Sequence, residues 1–298
     1  MNNNSKLLLA KILKRMPCAR GYARKFNESR HRAIESFIYP WCVKAEDALP
    51  NTGVVERSNN GPVWVSWWQG VEQAPAVVQA CIASMRRHCG ARDVVVITRD
   101  NVREYADLPF YIYEKLDSGA ISLTHFSDIL RFNLLRRHGG LWMDSTLYAA
   151  RDLDMSRCFG EFFTCSGYAD PTGFFVTEGK WTGFFIGGSA DERLFAFMDT
   201  FFLQYWKDND TLIDYFLIDY VLRYAYDHRI GSLRAWADTQ AGKDDPQLFG
   251  LEGIVSKMFD VVVWQRLTAD TAIFKLSWKK PRTFPAGSFG EYILTHGE

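Results

Sequence analysis

The chain of 298 residues has no apolar run approaching the roughly 20 residues that a membrane-spanning helix needs, so no membrane span is expected. Its net charge is zero, with 35 Lys and Arg against 35 Asp and Glu, which removes any overall electrostatic pull toward nucleic acid. No pair among Cys18, Cys42, Cys81, Cys89, Cys158 and Cys165 has the CxxC spacing of a zinc site or a redox motif. Lys11, Lys14 and Arg15 interrupt the apolar run near the N-terminus, so no secretory signal is expected and the thiols are read as free in a reducing cytoplasm. Internal repeats and low-complexity tracts are also missing.

What is present is apolar and aromatic mass. The chain is 47% hydrophobic and 15% aromatic, enough to bury a substantial core and to argue against disorder. Ten Trp residues hint at carbohydrate chemistry, because flat indoles pack well against sugar faces, but filling the core is the favoured reading for any one of them.

The balanced charge hides an asymmetry. Residues 1–32 carry nine Lys and Arg against Glu28 alone, with Leu7, Leu8, Leu9, Ile12, Leu13 and Met16 interleaved. Two readings fit this pattern: a basic amphipathic helix lying on an anionic membrane surface, or a helix that packs its Leu and Ile on its own domain. Residues 1–60 are accordingly read as a basic helical N-terminal appendage with polar loops around 51–53 and 58–61, and residues 61–298 as the main domain.

That domain opens with an α/β pattern. Val63–Ser66 reads as a buried strand and Val94–Ile97 as a second. Between them a helix starts at Pro75, its inner face formed by Val77, Val78, Cys81, Ile82 and Met85. Strand, helix and strand at this spacing make a βαβ unit. A longer helix is expected from Thr124 to His138, buried on most of its circumference and ended by Gly139-Gly140. Leu141-Trp142-Met143 then reads as a strand that runs into Asp144. Further central strands are expected at 161–165 and 181–186, helices at 191–207, 212–227 and 251–259, and a strand at 261–264.

Asp128 and Arg131 are three residues apart on the long helix and share a face. Taken alone, a structural ion pair is the favoured reading of them, since a buried charge needs either a partner or a ligand. The next residues favour the ligand. They deliver Asp144 to the carboxyl end of a strand, where α/β sheets bind ligands, and a carboxylate there can hold a divalent cation against a diphosphate.

Ser127-Asp128-x-x-Arg131 followed by Gly139-Gly140-Leu141-Trp142-Met143-Asp144-Ser145-Thr146 resembles the SDxxR…GGxYxD core of glycosyltransferase family 32. It is most like the capsular polysaccharide synthesis protein branch, and the large clostridial glucosylating toxins share the core. The resemblance runs from Val63 through Ile121–Asp128 to Ile213–Tyr220, about two thirds of the chain.

The resemblance implies a GT-A (Rossmann-like) mixed sheet flanked by helices. It also implies transfer, with retention, from a nucleotide-sugar donor to a glycan or lipid-linked acceptor, with Mn²⁺ or Mg²⁺ as cofactor. Position by position, Ser127, Asp128, Arg131 and Gly140 belong to the donor site. Trp67, Trp68 and Gln69 stand where the nucleotide base lies. Lys275-Leu276-Ser277-Trp278-Lys279 resembles a late Ser-x-Trp loop over the diphosphate, with the departure that Ser277 and Trp278 are adjacent. Asp144, Thr146 and His296 are the implied metal positions. Asp214 and Asp219, five apart on an apolar helix, read as helix-start and surface residues, or, for Asp219, equally as a carboxylate facing the acceptor or the anomeric carbon.

One departure matters. The second carboxylate of DxD is replaced by Thr146, a weaker ligand for a hard cation. The metal is then held more loosely, or by another group, or is dispensable. The same departure keeps a second reading open, a catalytically inactive nucleotide-sugar or glycan-binding module. A toxin-like protein glucosyltransferase is disfavoured, because the chain has no room for delivery domains.

Overall fold

The structure is a computed structural model that describes residues 3–50, 59–166, 169–240, 245–279 and 283–295. Helices α1 (Asn3–Lys14) and α2 (Arg20–Asp47) come first. Then follow β1 (Val63–Ser66), α3 (Ala76–His88), β2 (Val94–Ile97), α4 (Val102–Tyr105), α5 (Phe110–Asp117) and α6 (Leu123–His138). Next are β3 (Gly140–Met143), β4 (Leu147–Ala149), α7 (Met155–Cys158), β5 (Phe162–Thr164), β6 (Phe185–Gly188), α8 (Arg193–Asp208), α9 (Leu217–Asp227) and α10 (Leu233–Gln240). The chain closes with α11 (Val261–Thr268), β7 (Ile273–Lys275) and α12 (Phe289–Thr295).

Five strands form a mixed sheet in the order β2-β1-β3-β6-β5. β2, β1 and β3 are parallel, while β6 runs antiparallel to β3 and β5 antiparallel to β6. Alternate side chains separate two cores, as the pleat dictates. Trp64, Trp142 and Ile186 face the layer of α6, α8 and α9. Val63, Val65, Leu141, Met143 and Phe185 face α3. A two-stranded ribbon of β4 and β7 lies apart from the sheet, with Leu147 opposite Lys275. This is the GT-A-like mixed α/β arrangement that the resemblance implies.

α6 forms as read. Ser122 caps it by accepting from the His125 N–H at 3.2 Å, and Gly139 ends it at φ 66°. Of residues 125–135 all but Ser127 are buried, so the helix is a core element.

α2 is also a core element. Its buried positions Ala23, Asn27, Arg30, Ile34, Ile38, Cys42 and Ala45 recur at three and four residues, a continuous stripe. Ile34, Ile38, Cys42 and Ala45 share one hydrophobic cluster with α6, α8 and α9. α1 divides by face. Leu7 and Ala10 pack with Phe174 and Leu13 is also buried, while Leu8 and Ile12, with Met16 just beyond the helix, are exposed.

Several elements differ from expectation. Val261–Trp264 is the start of α11 and not a strand, because Asp260 accepts from the Val262 and Val263 N–H groups at 2.8 and 3.1 Å and caps a helix. Residues 251–256 are turns, not helix. The strand expected at 181–186 lies at 185–188. Gly187 and Gly188 sit inside it, since a Cβ on either would collide with the backbone of β3 or of Glu161. β5 is an edge strand, not a central one. The helix expected from 212 starts at Leu217. Asp214 is not a surface helix-start residue: it is buried, pairs with Arg30 at 3.4 Å and accepts from the Phe216 N–H at 2.9 Å.

Candidate active site

Strands β1 and β3 are parallel neighbours, so their carboxyl ends open side by side, and the antiparallel β6 begins at the same edge. Three strand ends therefore converge on one cavity of about 970 Å³. Small-molecule sites occupy about 300–1,000 Å³, so this one has room for an extended ligand. β1 delivers Trp67, Trp68 and Gln69, β3 delivers Asp144, and the approach to β6 delivers Thr182, Gly183 and Phe184. α6 contributes Ser127, Asp128 and Arg131, α9 contributes Asp219, and the segment after β7 contributes Ser277 and Trp278.

The centre is a chain of charges. Arg131 is buried, with Nη1 3.1 Å from Asp128 Oδ1 and Nη2 3.1 Å from Asp144 Oδ1. Its guanidinium lies over the Trp142 ring, 4.9 Å from the centroid. The Trp142 Nε1–H donates to the same Asp144 oxygen at 2.9 Å. The other oxygen, Oδ2, accepts from Lys275 Nζ at 2.7 Å. Burial pushes the Asp144 carboxyl up, but the charges of Lys275 and Arg131 and the hydrogen bonds of Lys275 and Trp142 outweigh it and hold the group below its usual range.

Asp128 has a second neighbour. His125 Nε2 accepts from the Trp206 Nε1–H at 2.9 Å, which leaves the ring proton on Nδ1, 3.5 Å from Asp128 Oδ2.

Asp219 is different in kind. Its side chain makes no hydrogen bond or ion pair among the described residues. Burial first, then the Asp128 charge, raises its pKa to about 7 against the opposing pull of Arg131. Two carboxylates cannot both ionise cheaply in one half-buried pocket, and Asp128 has the cation.

The aromatic wall comes from two distant segments. Trp67 and Trp278 meet edge to face with centroids 5.4 Å apart, and Trp68 packs the same way on Phe126 at 5.1 Å. Trp278 is exposed at the cavity mouth, where Lys279 lies 5.8 Å from the Tyr215 ring.

A comparison with protein families decides the kinship. The model of the capsular polysaccharide synthesis protein family matches residues 17–292. The chain belongs to that family. No curated protein matches the sequence.

Most of the expected site residues come together at the cavity. Two do not. Gly140 lies at the opposite end of β3 from Asp144. A Cβ there would collide with the Pro62 carbonyl, and its N–H donates to Asn59 Oδ1 at 2.7 Å, so it serves strand packing and not donor contact. His296 lies outside the described residues. Arg131 also differs from expectation, because its fork is taken by two protein carboxylates and not left open for a phosphate.

Among the described residues the donor set does not fit a divalent cation. Both Asp144 oxygens are engaged by cationic or N–H donors, and Thr146 offers a neutral oxygen. Among the described residues no three His, Cys, Asp or Glu side chains gather as metal ligands. The residue without an assigned role in the sequence reading is Lys275, although it opens the Lys275–Lys279 stretch that was singled out. His125 and Trp142 were also read only as parts of a motif.

Proposed function

We propose that the protein is a glycosyltransferase of capsular polysaccharide synthesis, moving a sugar from a nucleotide-sugar donor to a glycan or lipid-linked acceptor. The observation that carries this reading is the convergence of Trp67, Trp278, Asp128, Arg131, Asp144 and Asp219 on one cavity at the carboxyl edge of the sheet. The indoles provide stacking surface for a base. The cationic side of the site, Lys275 with Lys279 at the mouth, suits a diphosphate.

Asp219 supports chemistry over mere binding. It is a carboxyl without a hydrogen-bond or ion-pair partner among the described residues, poised near neutrality, in a cavity whose other carboxylates are paired. Ionised, it faces the anomeric region and stabilises the positive charge that develops there. Retention, which the sequence resemblance implies, has the acceptor hydroxyl attack the face from which the diphosphate departs. The bond from anomeric carbon to diphosphate oxygen breaks with its electron pair on the diphosphate. The hydroxyl oxygen bonds to the anomeric carbon, and its proton passes to the departing diphosphate.

The proposed site of action is the inner face of the cytoplasmic membrane, where the exposed Leu8 and Ile12 of α1 and Met16 just after it, flanked by Lys11 and Arg15, would rest on anionic lipid. No described helix is long and apolar enough to cross a membrane.

The test is release of nucleoside diphosphate from a panel of nucleotide-sugars, with and without glycan acceptors, for the wild type and Asp144→Ala. Acceptor-dependent release by the wild type, lost in the variant, is expected. Equal background from both proteins with every donor sinks the transferase reading and leaves the binding module.

A further inference from the structure

The position where the resemblance calls for a divalent cation is held by a side chain. Lys275 Nζ lies 2.7 Å from Asp144 Oδ2, while Arg131 and Trp142 occupy Oδ1 at 3.1 and 2.9 Å. A cation approaching Asp144 would have to displace an ammonium from one oxygen or a guanidinium and an indole from the other. Thr146, where a second carboxylate would complete a metal site, offers only a hydroxyl.

Lys275 is fixed at this spot by its backbone. It pairs opposite Leu147 in the β4–β7 ribbon, three residues past Asp144. Its N–H donates to the Leu248 carbonyl at 2.7 Å, and the Leu276 N–H donates to the Thr146 carbonyl at 2.9 Å. The Lys275 ammonium also lies 4.6 Å from the Phe184 ring centroid, and its side chain is only 19% exposed. Ser277, Trp278 and Lys279 line the same cavity directly after it.

We propose that Lys275 takes the place of a divalent cation: held on Asp144, its ammonium is the charge that receives the donor's diphosphate, and the protein binds nucleoside diphosphates without metal. An ammonium has three N–H donors, and one is spent on Asp144, so two remain for phosphate oxygens. As the glycosidic phosphate bond breaks, the electron pair left on the diphosphate develops its charge beside this fixed cation. Asp144 is thus a positioning residue for Lys275, not a metal ligand. This role for Lys275 rests on the nucleotide-sugar reading above.

The experiment is calorimetric titration of the purified full chain with a panel of nucleoside diphosphates and the matching nucleosides, in EDTA and in Mn²⁺. Binding of at least one diphosphate in EDTA is expected, with an affinity that Mn²⁺ changes by less than about threefold. Lys275→Met should weaken that diphosphate by about tenfold or more and leave the matching nucleoside unchanged, and Lys275→Arg should recover most of the loss. A diphosphate that binds only with Mn²⁺ overturns the proposal and leaves the transferase reading standing. So does a folded Lys275→Met that binds the diphosphate as the wild type does. Binding of no diphosphate in either buffer overturns both. The wild-type comparison decides the metal question even where the Met variant does not fold.

Discussion

Arg131 holds two carboxylates from different elements, with Nη1 3.1 Å from Asp128 on its own helix and Nη2 3.1 Å from Asp144 at the end of β3. The guanidinium is the clamp between α6 and the sheet at the floor of the cavity. It is buried, so its removal leaves Asp128 without its cation and takes one of two from Asp144. Arg131→Met should lower stability by about 3–5 kcal/mol, the usual cost of breaking a buried pair from one side. Arg131→Lys should recover little, because one ammonium cannot span two carboxylates as a planar fork does. Urea unfolding of the three proteins measures this. A loss in Arg131→Lys of under half that in Arg131→Met would contradict the clamp.

Trp278 should behave in the opposite way. The residue is 44% exposed, so truncation removes little core. Base stacking on an aromatic is worth about 1–3 kcal/mol, so Trp278→Ala should weaken nucleoside diphosphate binding by about tenfold or more while Tm stays near the wild type. Trp67→Ala should weaken binding as well and also lower Tm, because Trp67 packs on the core beneath α3 and its ring meets Trp278. Calorimetry and thermal unfolding on the same samples separate the two. Unchanged binding in both variants would remove the aromatic wall from the donor site.

The stretch from Thr124 to Asp144 was legible because every level of the sequence agreed there. Helical periodicity, a Gly-Gly stop and a short apolar strand all described one unit, and α6 and β3 lie within a residue of the reading. Lys275 was not legible as a partner of Asp144, because 131 residues separate them and only the pairing of β4 with β7 brings them together. The run Val261–Trp264 misled through composition: β-branched residues favour strands, but Asp260 offers a helix cap and the three valines stay on the surface. α2 carried its core stripe in plain view, at three- and four-residue spacing, but its many basic residues drew attention to charge.

Asp219 links pH to both activity and stability. Its pKa is raised to about 7 in the folded protein, well above the usual Asp value. The folded state therefore binds the proton more tightly than the unfolded chain. Stability from this group is full in acid and declines as pH rises from the usual Asp range through about 7. Activity should run the other way, rising through about pH 7 as the carboxylate forms. Asp219→Asn should lower kcat by about 10²–10³-fold and abolish that limb of the profile. The same variant should raise Tm above about pH 8 and leave it nearly unchanged near pH 4. Thermal unfolding across pH checks the second effect independently of any substrate. An Asn variant with wild-type kcat and an unaltered profile would take Asp219 out of the chemistry.

Membrane docking through α1 calls for point substitutions and not for truncation. Deleting residues 1–32 would remove Ala23 and Asn27 from the core stripe of α2 and strip Arg30 from the buried Asp214, leaving a carboxylate without its cation at a cost of about 3–5 kcal/mol. Loss of membrane binding in such a deletion would report on folding. Leu8 and Ile12 are 62% and 50% exposed and lie one turn apart, whereas Leu7 and Leu13 pack inward. Leu8→Asn with Ile12→Asn should therefore leave Tm within a degree or two of the wild type, since exposed sites shift stability by less than about 0.5 kcal/mol. The wild type should float with vesicles rich in phosphatidylserine, less so with neutral ones or at high salt, because the Lys11 and Arg15 contribution is screened. The double variant should stay with the soluble fraction. Lys14 lines the rim of the cavity and contacts the Phe174 and Phe175 rings at 4.6 and 4.4 Å, so a surface-bound α1 would turn the cavity mouth toward the lipid. Equal flotation of the wild type and the double variant would separate α1 from the membrane, and a lipid-linked acceptor would then have to reach the site by another route.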